Sequence, residues 1–340
     1  MASFHFLRAA RRWPILVILS GLALGPAPAG AQPAATDPEL AAIRQILQRP
    51  EAELDFAEIK VTVDRIVDPG IAAQPLLNRL NEMAADVQDM LPSTARPDER
   101  FEALRAYLYQ PGRWNRHRPF SAVAGDPQCR SLADKLLSGT LATRRGNCVS
   151  LSLLFLILAQ KLGLDATAST APQQVFVKVR DEAGQVKNLD ATTGTLKSDE
   201  SLLRAHPASP QAIAKGAYLR WLSRHETAAL IAELLLDDYA GRSGFEQRRI
   251  ALSALLLQHN PRQVDAMVHH AAACRQLGVR LQASERARAA DATADLAARL
   301  KQLEAQARQS LRQAEALGWK PPEPDAAGLL KQAAQRSRKP

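Results

Sequence analysis

The sequence predicts an α+β protein: a buried helix headed by Cys148 and a small antiparallel hairpin form its core, between a helical N-terminal segment and an all-α C-terminal region. Three observations carry this. Val149 to Ala159 is apolar almost without interruption, Val175 to Asp190 alternates with period two around a Gly-containing turn, and both flanks repeat apolar residues at helical spacing.

Residues 1–31 read as a cleavable export leader. Arg8, Arg11 and Arg12 precede an apolar run from Ile15 to Leu24, then Gly25-Pro26 and the small residues Ala29-Gly30-Ala31. Basic start, short apolar stretch and small cleavage residues in that order are what export machinery recognises. The run is about half the roughly 20 residues that a membrane span needs. The expected location is therefore periplasmic or secreted, with no stable membrane insertion once the leader is cut. Its removal takes the net charge from +9 to +6. The surplus gathers partly in a tail holding Lys331, Arg336, Arg338 and Lys339. Aromatic residues make up only 5% of the chain, too few for the stacking face of a nucleic-acid protein.

Between Asp37 and Leu91, Leu40, Ile43, Ile46 and Leu47, then Leu76, Leu77, Leu80, Met83, Val87 and Leu91, recur at helix spacing, with Pro69-Gly70 between segments. A polar loop from Pro92 to Pro97 closes this block. A helix over 100–109 stops at Pro111-Gly112, and an Arg-rich irregular stretch with Trp114, Asn115, His117 and Pro119 follows. The helix after Cys148 is apolar on every side, the mark of a helix in the middle of a domain, and it stops at Lys161-Leu162-Gly163. Folding the hairpin about Glu182 sets Gln174 opposite, or nearly opposite, Asp190.

Beyond Pro207 the chain returns to helices. Gly244 and Gly278 lie 34 residues apart, and small residues at Ala271, Ala283 and Ala290 fit a tetratricopeptide-like unit. A last helix is expected over 283–317, with Ser310 interrupting its stripe. The chain thus divides into a leader (1–31), an N-terminal helical segment (32–97), a core (98–210), a helical repeat-like region (211–320) and a basic tail (321–340). A protein or peptide partner is expected on the helical region.

The chemistry concentrates at Cys148. A helix N-terminus and the preceding Arg144 and Arg145 both favour a thiolate, against the plain alternative of a small packed core residue. Three cysteines, Cys129, Cys148 and Cys274, leave at least one unpaired or paired between chains. The sequence leaves open whether Cys129 bridges Cys148. No two cysteines lie at metal-ligand spacing, and no cofactor is expected.

The segment Arg144-Arg145-Gly146-Asn147-Cys148, the helix ending Lys161-Leu162-Gly163-Leu164, and Ala171-Pro172-x-x-Val175-Phe176-Val177 followed by Asn188-Leu189-Asp190 resemble the bacterial transglutaminase-like superfamily, in its branch with a tetratricopeptide-like tail. The likeness runs from Leu54 to Gly194, more loosely beyond. It implies a papain-like core with a Cys-His-Asp triad, the Cys falling on Cys148 and the Asp on Asp190. The His should fall at position 174, and here that residue is Gln174. An amide hydrogen-bonds both neighbours but does not take and return a proton near neutral pH, which the base must do. His117 and His206 are the histidines nearest in sequence to these positions and read as ordinary loop residues. The expectation is a catalytically degenerate domain serving as a binding or scaffolding module in the cell envelope. The alternative is a cysteine-dependent acyltransferase or peptidase that uses Cys148 with a base from elsewhere.

Overall fold

The computed structural model describes residues 37–321 except 127–128 and 289–292; the expected leader and nearly all of the basic tail lie outside that range. Asp37 starts the first helix, α1 (Pro38–Leu47), by accepting the amides of Glu39 and Leu40 at 3.0 and 3.3 Å. Asp55 does the same for α2 (Phe56–Val67). Then come α3 (Ala73–Gln88) and α4 (Pro97–Tyr109), where the Glu99 side chain accepts the Arg96 amide. These four helices bury the stripes that their spacing predicts, including Leu40, Ile43, Leu80, Val87 and Leu104.

After α4 a loop leads to a two-residue strand, β1 (Ser121–Ala122). It pairs in parallel with β2 (Arg145–Gly146), which follows α5 (Leu137–Thr143). The helix α6 (Cys148–Lys161) then runs through the middle of the molecule, and Leu151 and Leu153 to Ala159 are all buried. Its far end is tied to the start of α2, since Gln160 accepts the Phe56 amide (2.9 Å) and donates to the Leu54 carbonyl (2.8 Å).

Four antiparallel strands lie against α6 in chain order: β3 (Ala166–Ala171), β4 (Gln174–Arg180), β5 (Val186–Asp190) and β6 (Thr195–Lys197). The outer edge of β3 is covered, because Thr170 accepts the Leu219 amide while Thr167 and Ser169 donate to the carbonyls of Leu222 and Arg220. The hairpin register is one correction to the sequence reading. The ladder pairs Val177 with Leu189 and Arg180 with Val186, so Asp190 continues to a place across from Phe176 and not Gln174. The five-residue turn 181–185 centres on Ala183, one residue later than expected, and this moves the partner by two. A two-residue shift keeps the same face of the sheet.

Short helices α7 (Asp199–Ala205) and α8 (Pro210–Ala214) lead to α9 (Arg224–Ala232), α10 (Leu234–Gly241), α11 (Glu246–His259), α12 (Val264–Arg288) and α13 (Thr293–Ala316). The helical C-terminal region is present, but the paired glycines are not structurally equivalent. Gly244 has φ 91° in the turn before α11, whereas Gly278 lies inside α12. The helix expected over 283–317 is also divided: residues 283–288 close α12 and a separate α13 begins at Thr293. Ser310 sits within α13, buried, with its hydroxyl 2.9 Å from His270 Nδ1. One apolar cluster joins Leu40 of α1, Phe155 of α6 and Leu256 of α11, so N-terminal helices, core and first C-terminal helices share a single interior.

Candidate functional site

Cys148 occupies the first turn of α6, 1% exposed. Asn147 caps the helix: its Oδ1 accepts the amides of Val149 (3.1 Å) and Ser150 (3.3 Å). In return Ser150 Oγ accepts the Asn147 amide (3.1 Å) and donates to the Asp134 carbonyl (2.7 Å). Gly146 is needed for this closeness, because a Cβ there would collide with Ser150 Oγ and crowd Thr140.

The same Asn147 fixes the neighbouring loop. Its Nδ2 donates to Asp126 Oδ2 at 3.1 Å, and the Asp126 carboxylate also accepts the amides of Arg130 (2.7 Å) and Ser131 (3.0 Å). Burial raises the Asp126 carboxyl, but the bonds from Asn147, Arg130 and Ser131 outweigh it and hold the group below the usual carboxylate range. This loop returns Cys129, in a left-handed conformation at φ 50°, onto the head of α6. There its sulfur forms a disulfide with Cys148, Cα to Cα 6.1 Å, while Cys274 stays free and buried. The Cys148 amide points at the Cys129 sulfur, 3.1 Å away. An amide at a helix N-terminus is a ready donor to an oxyanion, and here the partner sulfur stands in front of it.

Cys129→Ser or Cys148→Ser is expected to lower the unfolding free energy by about 3 kcal/mol, the chain-entropy value for a crosslink of this span. The sequence separation is 19. Urea unfolding with and without dithiothreitol reads the difference, and no shift in midpoint refutes it.

Cys148, Gln174 and Asp190 all line one cavity of about 500 Å³, together with Cys129, Asn147, Thr192, His206 and the strip Ala122 to Asp126. The head of α6 positions the first and the sheet the next two, and Ser152 Oγ locks helix to sheet by donating to the Val175 carbonyl at 3.0 Å. Gln174 is 9% exposed and pairs with Ala171 at the start of the β3–β4 ladder. Asp190 Oδ1 is occupied by Thr192, accepting its hydroxyl at 2.5 Å and its amide at 3.0 Å. Behind it, burial and then the Asp190 charge push the Tyr109 phenol up.

Of the two candidate histidines, His206 lines this cavity, half-buried at the end of α7, and His117 sits exposed on the loop after α4. Arg144 does not face Cys148. Its guanidinium donates to the carbonyls of Asn115 (2.7 Å) and Arg118 and lies over the Phe120 ring, and Arg145 is exposed. The cation support expected for a thiolate is thus spent on holding a loop. Sequence reading missed Asp126 and the wall 122–125; Asp126 ahead of Pro127 was the available turn signal. Among the described residues, no group of three or more His, Cys, Asp or Glu is placed to hold a metal ion.

Residues 74–229 match the family model of the transglutaminase-like superfamily, a span that contains every residue of the cavity. No curated protein and no solved structure matches the chain.

Proposed function

The chain carries a transglutaminase-like superfamily domain over residues 74–229, and from that premise we propose that the domain works as a binding or scaffolding module and not as a catalyst. One observation carries this reading: Gln174, with no ionisable nitrogen, holds the place on β4 that faces the Cys148 cavity beside Asp190. The bond to Cys129 supports it further, since a sulfur in a disulfide is no nucleophile. The leader-like N-terminus supports placing the protein in the cell envelope or outside the cell, where disulfides persist. The helices from α9 onward offer the surface for a protein or peptide partner, as stacked helices do.

Without reductant, iodoacetamide is expected to leave Cys148 unlabelled. After reduction at about pH 6, where an ordinary thiol is almost wholly protonated, Cys148 labels no faster than a free thiol, and amide and thioester panels show no turnover. Rapid stoichiometric labelling of Cys148 in peptide maps at that pH sinks the reading.

His206 on the cavity wall favours a second reading, a thiol acyltransferase or peptidase. A dithiol reductant frees the Cys148 thiol and leaves oxidised as its own disulfide. His206 takes the thiol proton, the sulfur adds to an amide carbonyl, and the amine departs with that proton, leaving a thioester for water or another amine. Turnover by reduced protein that vanishes in both Cys148→Ala and His206→Ala establishes this reading in place of the first.

A further inference from the structure

The loop between α4 and β1 is a rigid basic knob with no part in the cleft. Asn115, 1% exposed, is its pin: Oδ1 accepts the Gly112 amide (3.0 Å), and Nδ2 donates to the carbonyls of Tyr107 (2.9 Å) and Gln110 (2.6 Å). Gly112 accepts the amides of Asn115 and His117, and Arg116 and His117 are both left-handed at φ 56°. Non-glycine residues take that conformation rarely, and two in succession mark a segment held by its surroundings. Arg144 supplies the hold from beneath through the carbonyls of Asn115 and Arg118.

What this scaffold displays is one sign of charge. Arg113, Arg116, His117 and Arg118 are exposed, Arg145 is exposed on the adjoining β2, and no acid occurs from Gln110 to Ala124. Among the described residues, none of these four arginines is in an ion pair, while Arg79 nearby has Glu82. Arg144 beneath feels part of this charge: burial pulls its guanidinium down, Tyr107 opposes, and the charges of Arg79, Arg118 and Arg116 add to the lowering. In their midst Trp114 is 40% exposed, its indole N–H fixed on the Ala106 carbonyl at 3.2 Å.

We propose that this knob docks the protein on a membrane surface rich in anionic phospholipid, with Arg113, Arg116, Arg118 and Arg145 on headgroup phosphates and Trp114 at headgroup depth. With its N–H already bonded to Ala106, Trp114 offers the exposed part of an aromatic ring, the group that gathers at headgroup level, and arginines near an anionic leaflet add attraction side by side. A nucleic acid would want several stacking rings, and the knob has one. No helix among the described residues is long and apolar enough to cross a membrane, so the contact is peripheral. Because β1 follows the knob directly and Ala122 to Asp126 form a wall of the cavity, docking sets the cavity beside the lipid surface. The inference stands apart from whether the cavity is catalytic.

The test is co-sedimentation of residues 32–340, which omit the apolar leader run, with phosphatidylcholine vesicles containing about 30% phosphatidylglycerol or none, the mixture chosen to give a negative surface potential. The protein is expected to bind the anionic vesicles, leave them as salt rises and ignore the neutral ones. The triple variant Arg113→Gln, Arg116→Gln, Arg118→Gln should lose on the order of 100-fold in partitioning, and lysines at the same three positions should restore most of it. Circular dichroism checks that each variant is folded. Equal binding to both vesicles, unchanged binding by the glutamine variant, or a lysine variant no better than the glutamine one overturns the proposal. So does tight binding of an oligonucleotide or acidic peptide by a protein that ignores vesicles.

Discussion

Gln174→His is expected to make the reduced protein reactive, raising thioester hydrolysis and low-pH alkylation of Cys148 by about 100-fold or more, the low end of what a placed general base contributes. The parts around the substitution are present. Cys148 has the first-turn position of α6 and an amide ready to serve an oxyanion once Cys129 moves away. Asp190 lies on the same sheet face as residue 174, two places along the ladder. Thr192 steadies its Oδ1. An imidazole at 174 would gain what the amide lacks, a nitrogen that changes protonation near neutral pH. Stopped-flow alkylation and thioester hydrolysis of reduced wild type and variant measure the gain. A variant that stays as inert as the parent shows that more than the base is missing.

Asp64→Ala is expected to cost about 3–5 kcal/mol of stability, the price of leaving a buried charge unpaired. Lys60 and Asp64 sit one turn apart on α2, both 0% exposed and ion-paired with each other. Burial pulls the Lys60 ammonium down, against the Asp64 charge. The pair reaches across to the segment ahead of the Cys helix: Lys60 donates to the Lys135 carbonyl and Asp64 accepts the Leu137 amide, each at 2.8 Å. Removing the carboxylate strands both the ammonium and the Leu137 amide. Replacing both charges together, Lys60→Met with Asp64→Leu, should restore part of the loss because no lone ion remains. Urea unfolding of the three proteins decides it, and a single-variant loss under about 1 kcal/mol would mean the pair is no clamp.

The elements that were legible in the sequence are those whose burial is complete or regularly alternating. The Cys helix shows itself because ten of its side chains from Leu151 to Gln160 leave no polar face apart from Ser152 and Gln160, and those two bond to β4 and α2. β4 shows itself by Val175, Val177 and Val179. β3 does not: Ala166 to Ala171 holds no large apolar residue, because its hydroxyls serve the covering segment 220–222. The cavity's sheet wall was legible through Gln174 and Asp190, since the face survives the register error. Its loop wall was not, because Cys129 is delivered by a tertiary network around Asp126 and Asn147 that no periodicity encodes. The clamp on α2 was hidden for a similar reason. A Lys and an Asp four apart read as an ordinary solvated pair until the structure puts them inside.

The interior running from Leu40 to Leu256 has a practical meaning for anyone cutting this protein into pieces. A fragment restricted to 98–210 would bare one side of the Cys helix, the side on which α2 and α3 pack. Such a fragment should precipitate or stay molten, and limited proteolysis should find no nick that releases the cleft intact. Whatever evolves at the cleft is therefore answerable to residues a hundred positions away on both sides.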